Sequence, residues 1–193
     1  MIADCSAIIL AGGESKRMGR DKAALPFNDG TLLQCVIGSV QPLFAQTLVS
    51  VRKLRGDVAL PQICDMQVDG GPLVGLISAL DAVTTPWTFV VACDMPFVDS
   101  ALIVHLASLR AEHQAVVPQV NEHAQPLAAF YARSALPLLR ASLESGNKSL
   151  TGALKTLDVR YVAANELLQF DSHLRSFFDL DTPQDLAIAE GMK

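Results

Sequence analysis

The run Cys5-Ser6-Ala7-Ile8-Ile9-Leu10 stops at two adjacent glycines, Gly12 and Gly13, and four cations follow within seven residues: Lys16, Arg17, Arg20 and Lys22. A short continuous apolar run of this kind is the pattern of a strand buried on both faces, which requires helices above and below a parallel sheet. Ligands of open α/β sheets sit outside the carboxyl ends of the strands, which is where this loop begins. Paired glycines let the backbone approach a ligand and offer it N–H groups. Guanidinium and ammonium groups beside them suit a polyphosphate. The loop is neither G-x-x-x-x-G-K-[ST] nor G-x-G-x-x-G. Its competing reading is a solvated basic turn.

The remaining pattern agrees with an α/β sheet. Helical spacing covers Thr31 to Phe44, with Thr31 available as N-cap. Thr47–Val51 reads as a second strand and Gln62–Met66 as a short third. Pro72–Val83 reads as a helix with proline at its first position. Trp87–Cys93 is a clear strand, and Ser100–Arg110 a helix capped by Ser100 or Asp99. Ala115–Pro118, Leu127–Tyr131 and Val159–Val162 read as strands, and Ser134–Leu143 and Leu150–Leu157 as helices. Strands alternating with helices imply a mainly parallel sheet. The stretch from about 119 to 176 is less regular and predicts a small mixed or antiparallel lobe. A last helix starts near Thr182-Pro183-Gln184-Asp185, which carries a hydroxyl cap, a proline and an acid in the first turn. No linker divides the 193 residues, so one domain is expected.

Half of the residues are apolar and the net charge is −5. That balance disfavours a general nucleic-acid or anionic-membrane binder. No apolar run is long enough to span a bilayer. Met1–Asp4 lacks the basic region of a secretory leader. Four cysteines without a C-x-x-C pair fit reduced thiols, so a cytoplasmic location is expected.

Three further segments carry candidate chemistry. Asp94 directly follows the strand ending at Cys93; it could hold Mg²⁺ against a polyphosphate or cap the next turn. Asp179 and Asp181 alternate with Leu180, so in an extended segment both carboxylates share a face; Asp181 or Thr182 could instead cap the last helix. Gly70-Gly71-Pro72-Leu73-Val74-Gly75 opens a helix N-terminus. Gly75 there implies either close approach of a base or tight packing. Arg52, Lys53 and Arg55 read as a solvated basic loop. Gly146-Asn147-Lys148-Ser149 reads as a helix stop and new cap, with acceptor-phosphate binding as the alternative.

Taken together these segments resemble the molybdenum cofactor guanylyltransferase family, the MobA-like nucleotidyltransferases. Leu10 to Lys22 is similar to L-A-G-G-x-S-x-R-M-G-x-D-K, Gly71 to Leu76 to G-P-L-x-G-[LIM], and Cys93 to Val98 to C-D-[MT]-P-[FY]-[VI]. Gln125 to Tyr131 is similar to [QH]-P-L-x-A-L-Y, and Phe178 to Leu186 to F-x-N-x-N-T-P-x-D-L. The resemblance implies a three-layer Rossmann-like nucleotidyltransferase fold. The nucleotide half would span about 1–118, the acceptor-binding part about 119–176, and the C-terminal helix about 182–191. It implies transfer of GMP from GTP to the terminal phosphate of metal-loaded molybdopterin, with Mg²⁺ as cofactor. Leu10, Ala11, Gly12 and Gly13 would line the nucleotide site, with Gly75, Asp179 and Asp181 completing it. Arg17 and Lys22 would neutralise the triphosphate, Asp94 would hold Mg²⁺, and Asp65 would bind guanine. Proteins that deliver molybdopterin, and molybdoenzyme chaperones, would be partners. Two departures bear on the base: the guanine-pocket region after the second strand, where the family often has Asn, reads Val49-Ser50-Val51-Arg52, and D-[IL]-D-T-P is the pattern of cytidylyltransferase relatives. The alternatives are therefore a molybdopterin cytidylyltransferase, a sugar-phosphate nucleotidyltransferase, or a non-catalytic nucleotide or cofactor carrier.

Overall fold

The computed structural model describes residues 1–12, 21–64 and 71–192. The strands among them are β1 (Cys5–Leu10), β2 (Pro26–Phe27), β3 (Gly30–Thr31), β4 (Gln46–Val51), β5 (Gln62–Cys64), β6 (Trp87–Ala92), β7 (Ala115–Val120), β8 (His123–Ala124), β9 (Ala128–Ala132) and β10 (Val159–Ala163). The α-helices are α1 (Leu32–Val40), α2 (Gly71–Asp81), α3 (Ser100–Ser108), α4 (Leu136–Glu144), α5 (Leu150–Leu154), α6 (Ala164–Leu167) and α7 (Pro183–Gly191).

One sheet runs in the order β10-β7-β9-β6-β1-β4-β5, with β8 beside β7. β5, β4, β1 and β6 pair in parallel; β9 lies antiparallel between β6 and β7, and β10 pairs with β7 in parallel. The less regular segment thus supplies the mixed part by joining the same sheet.

Side chains alternate across the sheet with period two. Cys5, Ala7 and Ile9 of β1 face a cluster shared with Leu33 and Val36 of α1 and Leu102, Ile103 and Leu106 of α3. Ile8 faces the other way, toward Ala79 and Val83. The second face is covered by Leu73, Leu76 and Leu80 of α2 and Leu136, Leu139 and Leu154 of α4 and α5. Helices on both faces make three layers, which explains why Cys5 to Ile9 of β1 are buried on both faces of the strand. Cys5 and Cys93 serve this core: burial pushes both thiols up to about 12, so they stay protonated.

Local signals account for the element ends. Thr31 and Gln34 form a reciprocal capping box on α1, with bonds of 3.2 and 2.9 Å. Asp99 rather than Ser100 caps α3. The chain leaves α1 through a 3₁₀ turn at Gln41–Leu43, because Pro42 cannot continue the α-helical ladder. α2 begins one residue before the expected proline, and Gly71 carries φ +69°, a value that favours glycine. α5 ends at Leu154, three residues short of the expected Leu157. The strand expected over Gln62–Met66 is described as far as Cys64, and its last two positions lie outside the described residues.

Candidate active site

The strand order reverses at β1: the connection after β1 leads to β4 on one side, and the chain later returns to β6 on the other. The crevice at such a switch point is where an open sheet binds ligands. Leu10 is in register with Ala92, so β1 and β6 end together. The ladder continues one step beyond both, with the Cys93 amide donating to the Leu10 carbonyl at 3.0 Å and the Ala11 amide to the Ser50 carbonyl at 2.8 Å. Leu10, Ala11 and Gly12 therefore leave the sheet beside Asp94.

Lys22 opens a single 3₁₀ turn, Lys22–Ala24. Asp21 caps that turn, accepting from the Ala23 amide at 3.1 Å. From it the Lys22 ammonium donates to Asp94 Oδ2 at 2.9 Å and to Asp181 Oδ1. Burial disfavours the ammonium charge, yet the bonds to Asp181 and Asp94 outweigh it and hold the Lys22 pKa above the ordinary 10.5.

The C-terminal acids arrive by backbone pairing. The Leu180 amide donates to the Asp94 carbonyl at 3.0 Å. Leu180 is fully buried with Leu25, Phe27 and Leu32, and Phe178 packs edge-on against Phe97, the third residue after Asp94. An apolar residue pinned between two acids leaves Asp179 and Asp181 on the opposite side, toward the crevice. Thr182 caps α7 through a capping box with Asp185, so Asp181 is spared for Lys22. Asp179 keeps a face open to solvent. Its carboxyl is nevertheless pushed up to about 6, first by the loss of hydration among neighbouring atoms and then by the charges of Asp94 and Asp181.

Lys22, Asp94, Asp179 and Asp181 thus come together although they are scattered from the first loop to the last helix. Gly75 is buried in α2. Gly13, Arg17 and Asp65 lie outside the described residues. The Gly146–Ser149 segment is a helix stop and a new cap. Gly146 has φ +90°, its amide bonds to the Leu143 carbonyl and the Asn147 amide to that of Ser142, and Ser149 caps α5.

One residue reads differently in the fold. Arg55 sits in an exposed loop, but its side chain is only 14% exposed and bonds to both Asp21 and Asp57. Sequence spacing held no signal for this, because Asp21 and Arg55 lie 34 positions apart.

Carboxylate oxygens are hard donors that suit Mg²⁺. Beyond the loss of hydration, the charges of Asp94 and Asp181 raise Asp179 and the Lys22 ammonium lowers it. Among the described residues no group of three or more His, Cys, Asp or Glu could hold a metal by itself.

A lysine and three carboxylates lie at the switch point of a mainly parallel three-layer α/β sheet, and comparison with known proteins gives the class as nucleotidyltransferases. Residues 7–159 match the MobA-like NTP transferase domain. Over 193 residues the chain is 34% identical to the probable molybdenum cofactor guanylyltransferase of Chloroflexus aggregans, covering 96% of this chain and 93% of the relative. It is 31% identical to the similarly named protein of Pelotomaculum thermopropionicum, covering 97% and 92%. The solved structure of molybdopterin-guanine dinucleotide biosynthesis protein A from Archaeoglobus fulgidus superposes with a TM-score of 0.86 at 30% identity, covering 97% of both chains. The chain belongs to the MobA-like NTP transferase family.

Proposed function

We propose that this chain transfers GMP from GTP to the terminal phosphate of metal-loaded molybdopterin, forming molybdopterin guanine dinucleotide and releasing pyrophosphate. The observation that carries the chemistry is Lys22, shared between Asp94 and Asp181 where β1 and β6 end. The choice of GTP and molybdopterin rests on relatives of similar length, about 30% identical, that are named for that reaction.

In this reading Leu10, Ala11, Gly12 and Gly13 border the nucleotide, and Gly75 allows close approach from α2. Asp65 accepts from guanine N1–H and the exocyclic amine, two donors that one carboxylate can serve together. An oxygen of the acceptor phosphate attacks the α-phosphorus of GTP, the bond from that phosphorus to the bridging oxygen breaks, and pyrophosphate leaves with the electron pair. A phosphate monoester has its second pKa near 6, so the attacking oxygen is already anionic and needs no strong base. Catalysis is then alignment and charge neutralisation. Lys22 and Arg17 neutralise the triphosphate. Asp94 is the residue that would hold Mg²⁺, with Asp179 and Asp181 beside it, and the ion would screen phosphate charge there.

The test is product formation from metal-loaded molybdopterin with GTP or CTP in parallel, with Mg²⁺ or with excess EDTA, read by mass spectrometry. The guanine dinucleotide, formed with GTP and lost in EDTA, is expected. Product with CTP alone would refute the guanine reading of Asp65 and favour the cytidylyltransferase reading that Asp179-Leu180-Asp181-Thr182-Pro183 suggests. Absence of product with either would refute the assignment.

A further inference from the structure

Arg55 is a cation that the proposed chemistry does not use and that Asp21 links to the turn carrying Lys22. Arg55 lies in the connection between β4 and β5, and four observations fix it. Its guanidinium forks onto Asp57, donating from Nε at 3.1 Å and from Nη2 at 2.8 Å. Its Nη1 donates to Asp21 Oδ2. Its backbone is clamped by Gln62, the first residue of β5: the Arg55 amide donates to Gln62 Oε1 and Gln62 Nε2 to the Arg55 carbonyl, both at 2.8 Å. Gln62 is itself registered against Val49 in the sheet. The guanidinium is therefore held on a rigid element, although it sits in a connecting segment.

Asp21 is the other end of this link. Its Oδ1 caps the 3₁₀ turn that begins with Lys22, and its Oδ2 accepts from Arg55. A planar fork that fixes one carboxylate bidentately while reaching a second is a task suited to arginine and not to lysine. A chain of contacts thus runs from β5 through Gln62, Arg55 and Asp21 to the turn that aims the Lys22 ammonium at Asp94 and Asp181.

We propose that Arg55 is a positioning residue for nucleotidyl transfer: through Asp21 it fixes the turn that carries Lys22. This rests on the role given to Lys22 above. Positional errors of about 1 Å cost turnover on the order of a hundredfold, so Arg55→Met is expected to lower kcat/KM for GTP by about 10- to 100-fold.

The experiment is a double-mutant cycle on the full chain, with dinucleotide formation measured for wild type, Arg55→Met, Lys22→Met and the pair. Thermal melts set an assay temperature at which every variant is folded. If Arg55 acts through Lys22, adding Arg55→Met to Lys22→Met changes kcat/KM by less than about twofold, since coupled residues are non-additive. Asp21→Asn keeps the capping oxygen and removes the ion pair from the other side, so it should reproduce the Arg55→Met loss even if that variant folds poorly. Wild-type turnover in folded Arg55→Met, fully multiplicative losses in the cycle, or an unaffected Asp21→Asn would each overturn the positioning role. A wild-type protein that forms no dinucleotide would instead overturn the function proposed above.

Discussion

Replacing Lys22 by Met keeps an unbranched apolar stem but removes the ammonium. The Lys22 side chain is 14% exposed, Asp94 20% and Asp181 43%. The bond to Asp94 is largely shielded and, as a charge-assisted hydrogen bond, stabilises by about 1.5 kcal/mol, the low end of its range. The bond to the more exposed Asp181 is screened and is set at about 0.5 kcal/mol. The loss is therefore about 2 kcal/mol near pH 8, or a drop in Tm of roughly 4–8 °C for a chain of this size. Turnover should fall further, by about 10²–10³, the cost of deleting one preorganised charge-stabilising group.

The pH dependence identifies the cause. Asp179 has its carboxyl raised from 3.8 to about 6. Between those values the folded protein holds a proton that the unfolded chain has released, so this contribution is fully present below about pH 4 and is lost as pH rises through 6. The Lys22 ammonium pulls the Asp179 carboxyl down. Its removal should push Asp179 higher still and extend the loss toward neutral pH. Lys22 itself remains charged throughout this range, since its raised pKa loses its contribution only above 10.5. Differential melting at pH 5 and pH 8, beside pyrophosphate release, should show a Tm deficit at both pH values, from the lost bonds to Asp94 and Asp181, and a larger one at pH 8, where Asp179 must ionise without the Lys22 charge. Equal deficits at both pH values, or turnover within about threefold of wild type, would refute the reasoning.

Three further outcomes follow from named contacts. Thr182→Ala removes the cap of α7, should cost about 1 kcal/mol in denaturant melts, and should reduce turnover because the cap directly follows Asp181. Tyr131→Phe strands the partly buried Pro126 carbonyl that its hydroxyl bonds at 2.7 Å. About 1–2 kcal/mol should be lost, with a raised KM for the acceptor if the Gln125–Leu127 segment borders it. Gly146→Ala meets no clash but imposes a side chain at φ +90°. It should lower stability by about 1–2 kcal/mol while the KM for GTP stays within twofold, as expected of a helix stop.

The site was partly legible in the sequence because its parts obey local rules. Asp94 follows an apolar run and so had to emerge at a strand end, and Lys22 follows a glycine turn after another. The capping residues Thr31 and Thr182 were legible for the same reason: hydroxyl, spacing and partner all lie within four residues. The strand β9 was visible as a strand, but its antiparallel direction and its place between β6 and β7 were not, because pairing joins residues some forty positions apart.

By itself the sequence determined an α/β sheet buried on both faces, with a cationic glycine loop and an aspartate at the ends of two of its strands. Periodicity, caps and turn residues are read within a few positions, and a parallel sheet needs continuous apolar strands. Tertiary structure alone decided the coupling of distant charges. It set Lys22 between Asp94 and Asp181, raised Asp179, and turned Arg55 from an apparent solvent-facing cation into a brace on Asp21. Charge interactions depend on separation in space and on the surrounding dielectric, and the order of residues along a chain specifies neither until the sheet has closed.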